Sequence, residues 1–326
     1  MHDHATRARN GVTKRRIAVV AFGGNALLTP SDRGTQEEQI ARAKQAARWL
    51  VEIVREGYAL VIVHGNGPQV GNILIQAEEA STKVPPQTLD VAVAQTEGSI
   101  GFLLQQAMRN RLLSSRLPDE VATILTEVEV DAADPAFKKP TKPIGPFFTR
   151  YRAETLARDY GWTVREDSGR GWRKIVASPR PIRILNLRSI LLLLTEVGVV
   201  IAAGGGGIPV VAGRDGQWRG IEAVIDKDYA ASLLAAELHA ELFIVLTGVA
   251  EVAIDFDKPT QQTLSGMTVG EAERHLADGQ FPAGSMGPKI DAAISFVKKS
   301  GHDVLITDVD HLREGMEGTR GTRIRK

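Results

Sequence analysis

Cysteine is absent from all 326 residues, and with it go disulfides, zinc–thiolate centres and thiol nucleophiles. A charge excess of either sign is missing too. Forty Lys and Arg against 39 Asp and Glu leave a net charge of +1, so nucleic acid is not the expected partner. Nor is there a long apolar run. The best membrane candidate, "ILLLLTEVGVVIAAGGGG", is broken by Glu196 and its glycines, short of the ~20 apolar residues a span needs. The opening "MHDHATRARNGVTKRRIAVVAFGGNALL" sets basic residues before an apolar stretch, as an export signal would. Gly23, Gly24 and Asn25 interrupt that stretch, and no small-residue cleavage site follows. A cytoplasmic protein is expected, with residues 1–15 as a flexible basic arm.

What is present has the composition of a globular chain, 43% hydrophobic and 24% charged. One pattern recurs: "RIAVVAF", "ALVIVH", "VGVVIAA", "AELFIVL" and "HDVLITDV" are short runs rich in β-branched residues. Each closes on glycine or a small polar residue. Unbroken apolar runs of this length suit strands buried on both faces, hence a parallel sheet. Helix patterns lie between them. One opens on a capping box of Thr35 with Glu38 and should stop at Gly57; another pairs Thr268 with Glu271. "DYAASLLAAELHA" is a further helix, and "GPKIDAAISFVKKSG" carries Pro288 in its first turn and ends at Gly301. The alternation predicts an α/β fold, a three-layer αβα sandwich with a mainly parallel central sheet. Ligands in such folds bind at the carboxyl ends of the strands, where these glycines fall.

One segment departs from the rhythm. From Asp134 to Arg183 there are twelve Lys and Arg against five Asp and Glu, with six prolines and two tryptophans. A charge run alone would be a solvated surface. The compact "KKPTKPIGPFF", with its proline-fixed turns, points instead to a small inserted protruding subdomain at about 127–181, presenting Lys142 over the ligand edge of one domain spanning 16–326.

Three glycine loops follow strand-like runs: Gly23–Asn25, Gly65–Gly71 and Gly204–Gly207. A glycine loop between strand and helix turns backbone N–H groups toward an anion, aided by the helix dipole. Three at equivalent places imply a polyanionic ligand. The reading expects Gly204–Gly207 to be glycine because phosphate lies against bare backbone, so that a side chain at Gly205 would block the ligand and spare the fold. No GxxxxGK[ST] is present, and "GNGPQVG" and "GGGGIP" only approach a dinucleotide fingerprint. A phosphate site without a P-loop lysine must draw its cations from elsewhere. "GIEAVIDKDYA" places Lys227 and Asp228 at the head of a helix, "PAGSMGPK" places Lys289 at the head of another, and Lys142 comes from the basic insertion. Singly these are ordinary surface charges and a helix cap. Converging on one group, they are what phosphoryl transfer requires, since its catalysis is mostly positioning and charge stabilisation. No compelling general base is evident; His64 is read equally well as a packed residue at a strand end.

Taken together, "VVAFGGNALL", "VHGNGPQVGN", "QTEGSIGF", "PTKPIGPFFT", "EDSGRGWRKIVASPRP", "AAGGGGIPVV", "GIEAVIDKDYAA" and "FPAGSMGPKIDAAISFV" resemble the carbamate kinases of the amino acid kinase superfamily. The resemblance is collinear from about Arg16 to the closing "GTRI". It implies interconversion of carbamoyl phosphate plus ADP with carbamate plus ATP, often run toward ATP at the end of arginine fermentation. It implies Lys227 and Lys289 on the phosphates, Asp228 orienting them, and Lys142 reaching from the subdomain. Gly23, Gly24, Asn25, Gly65, Asn66, Gly67, Gly204, Gly205 and Gly206 would meet the carbamate or the phosphoryl group. Thr247, Gly248, Val249 and Met286, with Lys289, would meet the nucleotide. Mg²⁺ would be held mainly by phosphate oxygens and water, with no dedicated protein ligands, and a homodimer is implied. Two alternatives stay open: a sibling kinase acting on another carboxylate, which the basic insertion argues against, and a non-catalytic nucleotide sensor, which retention of three lysines and Asp228 argues against.

Overall fold

The computed structural model describes residues 15–23, 34–167, 169–282 and 284–326. In chain order these form β1 (Ile17–Phe22), α1 (Gln36–Arg55), β2 (Ala59–His64), α2 (Gly67–Glu79), α3 (Leu89–Ser114), β3 (Val121–Thr123) and β4 (Glu127–Val130). Next come β5 (Lys142–Phe148), α4 (Arg150–Tyr160), β6 (Val164–Glu166), β7 (Trp172–Val176), β8 (Pro181–Ile184), α5 (Leu187–Val197), β9 (Val199–Ile201), β10 (Ile208–Ala212) and β11 (Trp218–Gly220). The chain closes with α6 (Lys227–Glu237), β12 (Leu242–Leu246), β13 (Val252–Ile254), β14 (Gln262–Leu264), β15 (Gly266–Thr268), α7 (Val269–Ala277), α8 (Met286–Ser300), β16 (Val304–Thr307), α9 (Leu312–Glu317) and β17 (Thr322–Arg325).

The five recurring apolar runs become β1, β2, β9, β12 and β16, all in one eight-stranded sheet of order β15-β17-β16-β12-β1-β2-β9-β3. From β16 to β3 every neighbouring pair is parallel; β17 runs antiparallel to β16. Alternate residues of each strand point to opposite faces. Val19, Val61, Val200 and Phe243 pack with α5, α6 and α8 on one side. Val20, Leu60, Ile62 and Ile244 pack with α1 and α3 on the other. Because both faces are covered, the strands read as unbroken apolar runs, and each fully buried large side chain contributes roughly 1.5–3 kcal/mol. Both capping boxes form, Thr35 with Glu38 and Thr268 with Glu271, and α8 ends on left-handed Gly301.

The basic segment builds a separate small sheet, β5-β7-β6, with α4 beside it. The strands flanking it, β4 and β8, pair with each other and join β10 and β11 in a second sheet. No described helix is long and apolar enough to cross a membrane.

Candidate active site

The parallel register brings the ends of four strands to one edge. Phe22 lies beside both His64 and Leu246, and Ile62 beside Ile201. Gly23 follows β1, and a Cβ there would stand 3.5 Å from the carbonyl oxygen of Leu246. Gly24 and Asn25 lie outside the described residues. Gly65 donates its amide to Phe22 at 3.0 Å. Asn66 is buried, and its Nδ2 donates to Thr96 Oγ1 at 2.8 Å. Gly67 then opens α2 with its amide end at the same edge, in the strand–loop–helix order favourable to anions. On the β12 side, Thr247 follows the strand and donates its amide to Thr307 at 2.9 Å, with Gly248 exposed and Val249 half-buried beyond it. Met286 opens α8, one turn before Lys289.

The tetraglycine differs from its expected form in two ways. It is a tight 3-10 turn running into β10, so no helix dipole stands behind it. All four glycines are buried, and their missing side chains are replaced by protein. A Cβ at Gly204 would lie 2.2 Å from His64 Nε2, at Gly205 2.2 Å from Asn66 Nδ2, and at Gly206 2.4 Å from the Ile225 carbonyl oxygen. At Gly207 it would strike Val128 at 2.2 Å. Residues 205–207 also have φ of +67°, +102° and +86°, which favour glycine. This corrects the expectation that a side chain at Gly205 would spare the fold: close protein packing alone accounts for glycine here. The amides of Gly206 and Gly207 are spent on the Ala203 and Gly204 carbonyls. Gly71 is likewise no part of an anion loop; it lies within α2.

The structure brings the four charged residues together and adds a fifth. Lys227 Nζ stands 2.6 Å from Asp228 Oδ1, and Lys289 Nζ 2.8 Å from Asp228 Oδ2. Lys142 Nζ, arriving from β5, stands 2.9 Å from Asp226 Oδ2. Asp226 was not among the candidates. Its Oδ1 accepts from the Asp228 amide at 2.9 Å and so caps α6, while its other oxygen holds Lys142. Burial opposes the charge on both carboxyls, but the adjoining lysines outweigh it and keep Asp226 and Asp228 below the usual carboxylate range. Burial lowers the Lys227 pKa, aided by repulsion from Lys289 and opposed by Asp228. For Lys289 burial is outweighed by Asp228, and its pKa is raised. The site is therefore three lysines paired with two carboxylates.

Beneath this edge lie His64, read from the sequence as a packed strand-end residue, and Glu97 and Thr126, which sequence reasoning passed over. His64 is fully buried; its Nδ1 donates to the Gly65 carbonyl at 3.1 Å, and Nε2 finds no partner among the described residues. Burial lowers its pKa to about 4, so the ring is neutral and packs under Gly204. Glu97 accepts the Thr126 amide at 2.8 Å, and Thr126 Oγ1 accepts the Ala203 amide at 2.9 Å, anchoring the glycine turn from α3. Burial raises the Glu97 carboxyl well above its ordinary range. Little in the sequence signals this, since the buried Thr96 and Glu97 lie among other polar residues of α3 such as exposed Gln95 and Ser99.

Residues 16–308 match the amino acid kinase family. The carbamate kinase of Pyrococcus furiosus is 44% identical over 308 residues, covering 94% of this chain and 98% of that protein. The carbamate kinase-like protein YqeA of Escherichia coli is 45% identical over 312 residues, covering 94% and 98%. Among solved structures, the carbamate kinase from Giardia lamblia bound to AMP-PNP superposes with a TM-score of 0.88 at 38% identity, covering 96% of this chain and 99% of that one.

Proposed function

The chain belongs to the carbamate kinases within the amino acid kinase family, and from that premise we propose that it transfers a phosphoryl group reversibly between carbamoyl phosphate and ADP. The observation that carries this reading is the convergence of Lys142, Lys227 and Lys289 on Asp226 and Asp228 at the strand-end edge. In ATP formation a β-phosphate oxygen of ADP attacks phosphorus. The new P–O bond forms as carbamate leaves with the bridging electron pair, and charge spreads over the group in flight. Lys227 and Lys289 hold the phosphates, Asp228 fixes their tips, and Lys142 meets the transferred group. Carbamate is already an anion, so the reverse reaction needs no general base, and neutral buried His64 is not asked to be one.

On this reading Gly23, Gly24, Asn25, Gly65, Asn66 and Gly67, with Gly204, Gly205 and Gly206, would serve the carbamate or phosphoryl group. Thr247, Gly248, Val249 and Met286 face the nucleotide. Magnesium would supply charge neutralisation on the phosphates, held mainly by phosphate oxygens and water, since the oxygens of Asp226 and Asp228 already accept hydrogen bonds within the protein. Running toward ATP at the end of arginine fermentation, in the cytoplasm, rests on the family resemblance alone. A homodimer has structural support. β3 ends the main sheet among the described residues, and Phe102 of α3, Leu125 and Leu192 of α5 stand 58%, 51% and 61% exposed about it. Phosphorylation of carbamate by ATP, run beside glutamate, aspartate and UMP as acceptors, tests the reading. Turnover with carbamate alone supports it; preference for another acceptor overturns it.

A further inference from the structure

Gly71 has a reason to be glycine that the strand-end site does not supply. It is buried inside α2, and a Cβ there would stand 1.9 Å from the Cα of Gly145 and 2.3 Å from its amide nitrogen. Gly145 belongs to β5, three residues beyond Lys142, where the strand is irregular and φ is +74°. Two backbones therefore meet with no side chain between them. The contact joins two different parts of the molecule: α2 starts at the ligand edge, and β5 is the strand of the basic subdomain that delivers Lys142.

The surroundings hold this contact in register. Arg173 of β7 donates to the Gly145 carbonyl at 3.0 Å from the subdomain side. Across the seam, Arg152 pairs with Glu79 at 3.0 Å. Lys174 lies 4.1 Å over the Trp162 ring, which lines the same crevice as Gly71 and Gly145. At the far end of the segment Lys142 reaches Asp226.

We propose that Gly71 and Gly145 are positioning residues for Lys142: their backbone contact is the stop on which β5 rests, and it sets how closely the Lys142 ammonium approaches the phosphoryl group. This rests on the phosphoryl-transfer reading above. Strands advance ~3.3 Å per residue, so the stop and the Lys142 backbone lie about 10 Å apart on one short strand. Lifting β5 at Gly145 must then move Lys142. A misplacement of about 1 Å at a reacting group can cost ~10²-fold in rate.

Gly71→Ala tests this, since alanine is the better helix former and adds only the one methyl. Turnover should fall by ~10²-fold while ADP affinity stays within about threefold of wild type. Combined with Lys142→Met, Gly71→Ala should add no further loss, because both act through one ammonium group. Gly270→Ala in α7, where a Cβ meets open space, should change nothing. Independently of turnover, amide hydrogen exchange across residues 142–148 should be faster in Gly71→Ala than in wild type. Turnover within about threefold of wild type, losses that multiply in the double variant, unchanged exchange, or a Gly71→Ala chain that does not fold would each overturn the proposal. If wild type forms no ATP from carbamoyl phosphate, the functional reading fails, while the exchange experiment still decides the stop.

Discussion

Lys142 and Asp226 stand 2.9 Å apart across 84 residues of sequence, tying the basic subdomain to the helix that carries Lys227. The one carboxylate both caps α6 and holds the lysine. The three lysines, drawn from β5, the start of α6 and the first turn of α8, are thus set by two aspartates separated by one residue.

Lys142→Met keeps most of the stem and removes the charge; it also leaves Asp226 without its lysine, so some loss of stability is expected and the kinetics are read on folded protein. Loss of one such electrostatic donor costs ~10²–10³ in turnover, about 2.7–4 kcal/mol. ADP affinity should change little, because the group acts on the phosphoryl in flight. Lys138→Met and Lys139→Met remove exposed charges of the same basic run and should leave kcat within about threefold. Steady-state kinetics with calorimetric ADP binding separate these outcomes; equal kcat in all three variants would remove Lys142 from the mechanism.

Gly205→Ala should destabilise the protein rather than act only on ligand binding. The backbone there is left-handed, which costs a residue with a Cβ roughly 1–2 kcal/mol, and the new methyl would overlap Asn66. Gly216→Ala shares a φ of +77° but meets open space, so it carries the strain without the clash. The difference between their melting temperatures isolates the overlap with Asn66. Equal temperatures would show that the turn yields freely.

Burial holds His64 at a pKa of about 4 against 6.5 in the unfolded chain. The unfolded state therefore binds the extra proton between these values, and stability that is full above pH 6.5 is lost as pH falls toward 4. A shift of this size corresponds to about 3 kcal/mol. Denaturant titrations of His64→Gln should show a flatter dependence across that window, whatever the variant's absolute stability. An unchanged slope would show that other groups dominate the acid limb.

Features set by neighbours in sequence were legible in it. Thr35 with Glu38 and Thr268 with Glu271 are three residues apart, and the β-branched runs announce a sheet covered on both faces. The charged residues were legible as candidates because each opens a helix or sits in a proline-fixed strand. Asp226 was not, since its helix-capping role is local and ordinary while its partner lies in the subdomain. The glycines misled for the same reason. Sequence shows that a Cβ is unwelcome at Gly205 or Gly71 but not what fills its place, which is Asn66 in one case and the Gly145 backbone in the other.

The central claim is that the lysine–aspartate cluster moves phosphoryl between carbamate and ADP. Its most direct test is the rate of ATP formation from carbamoyl phosphate and ADP, with Mg²⁺ and folded protein, in wild type and in Asp228→Asn. That variant strips Lys227 and Lys289 of their shared counter-charge. Wild type should form ATP well above a no-enzyme control, and Asp228→Asn should lose most of that rate. A folded wild type that forms no ATP, or an Asp228→Asn variant that turns over as fast as wild type, would contradict the account.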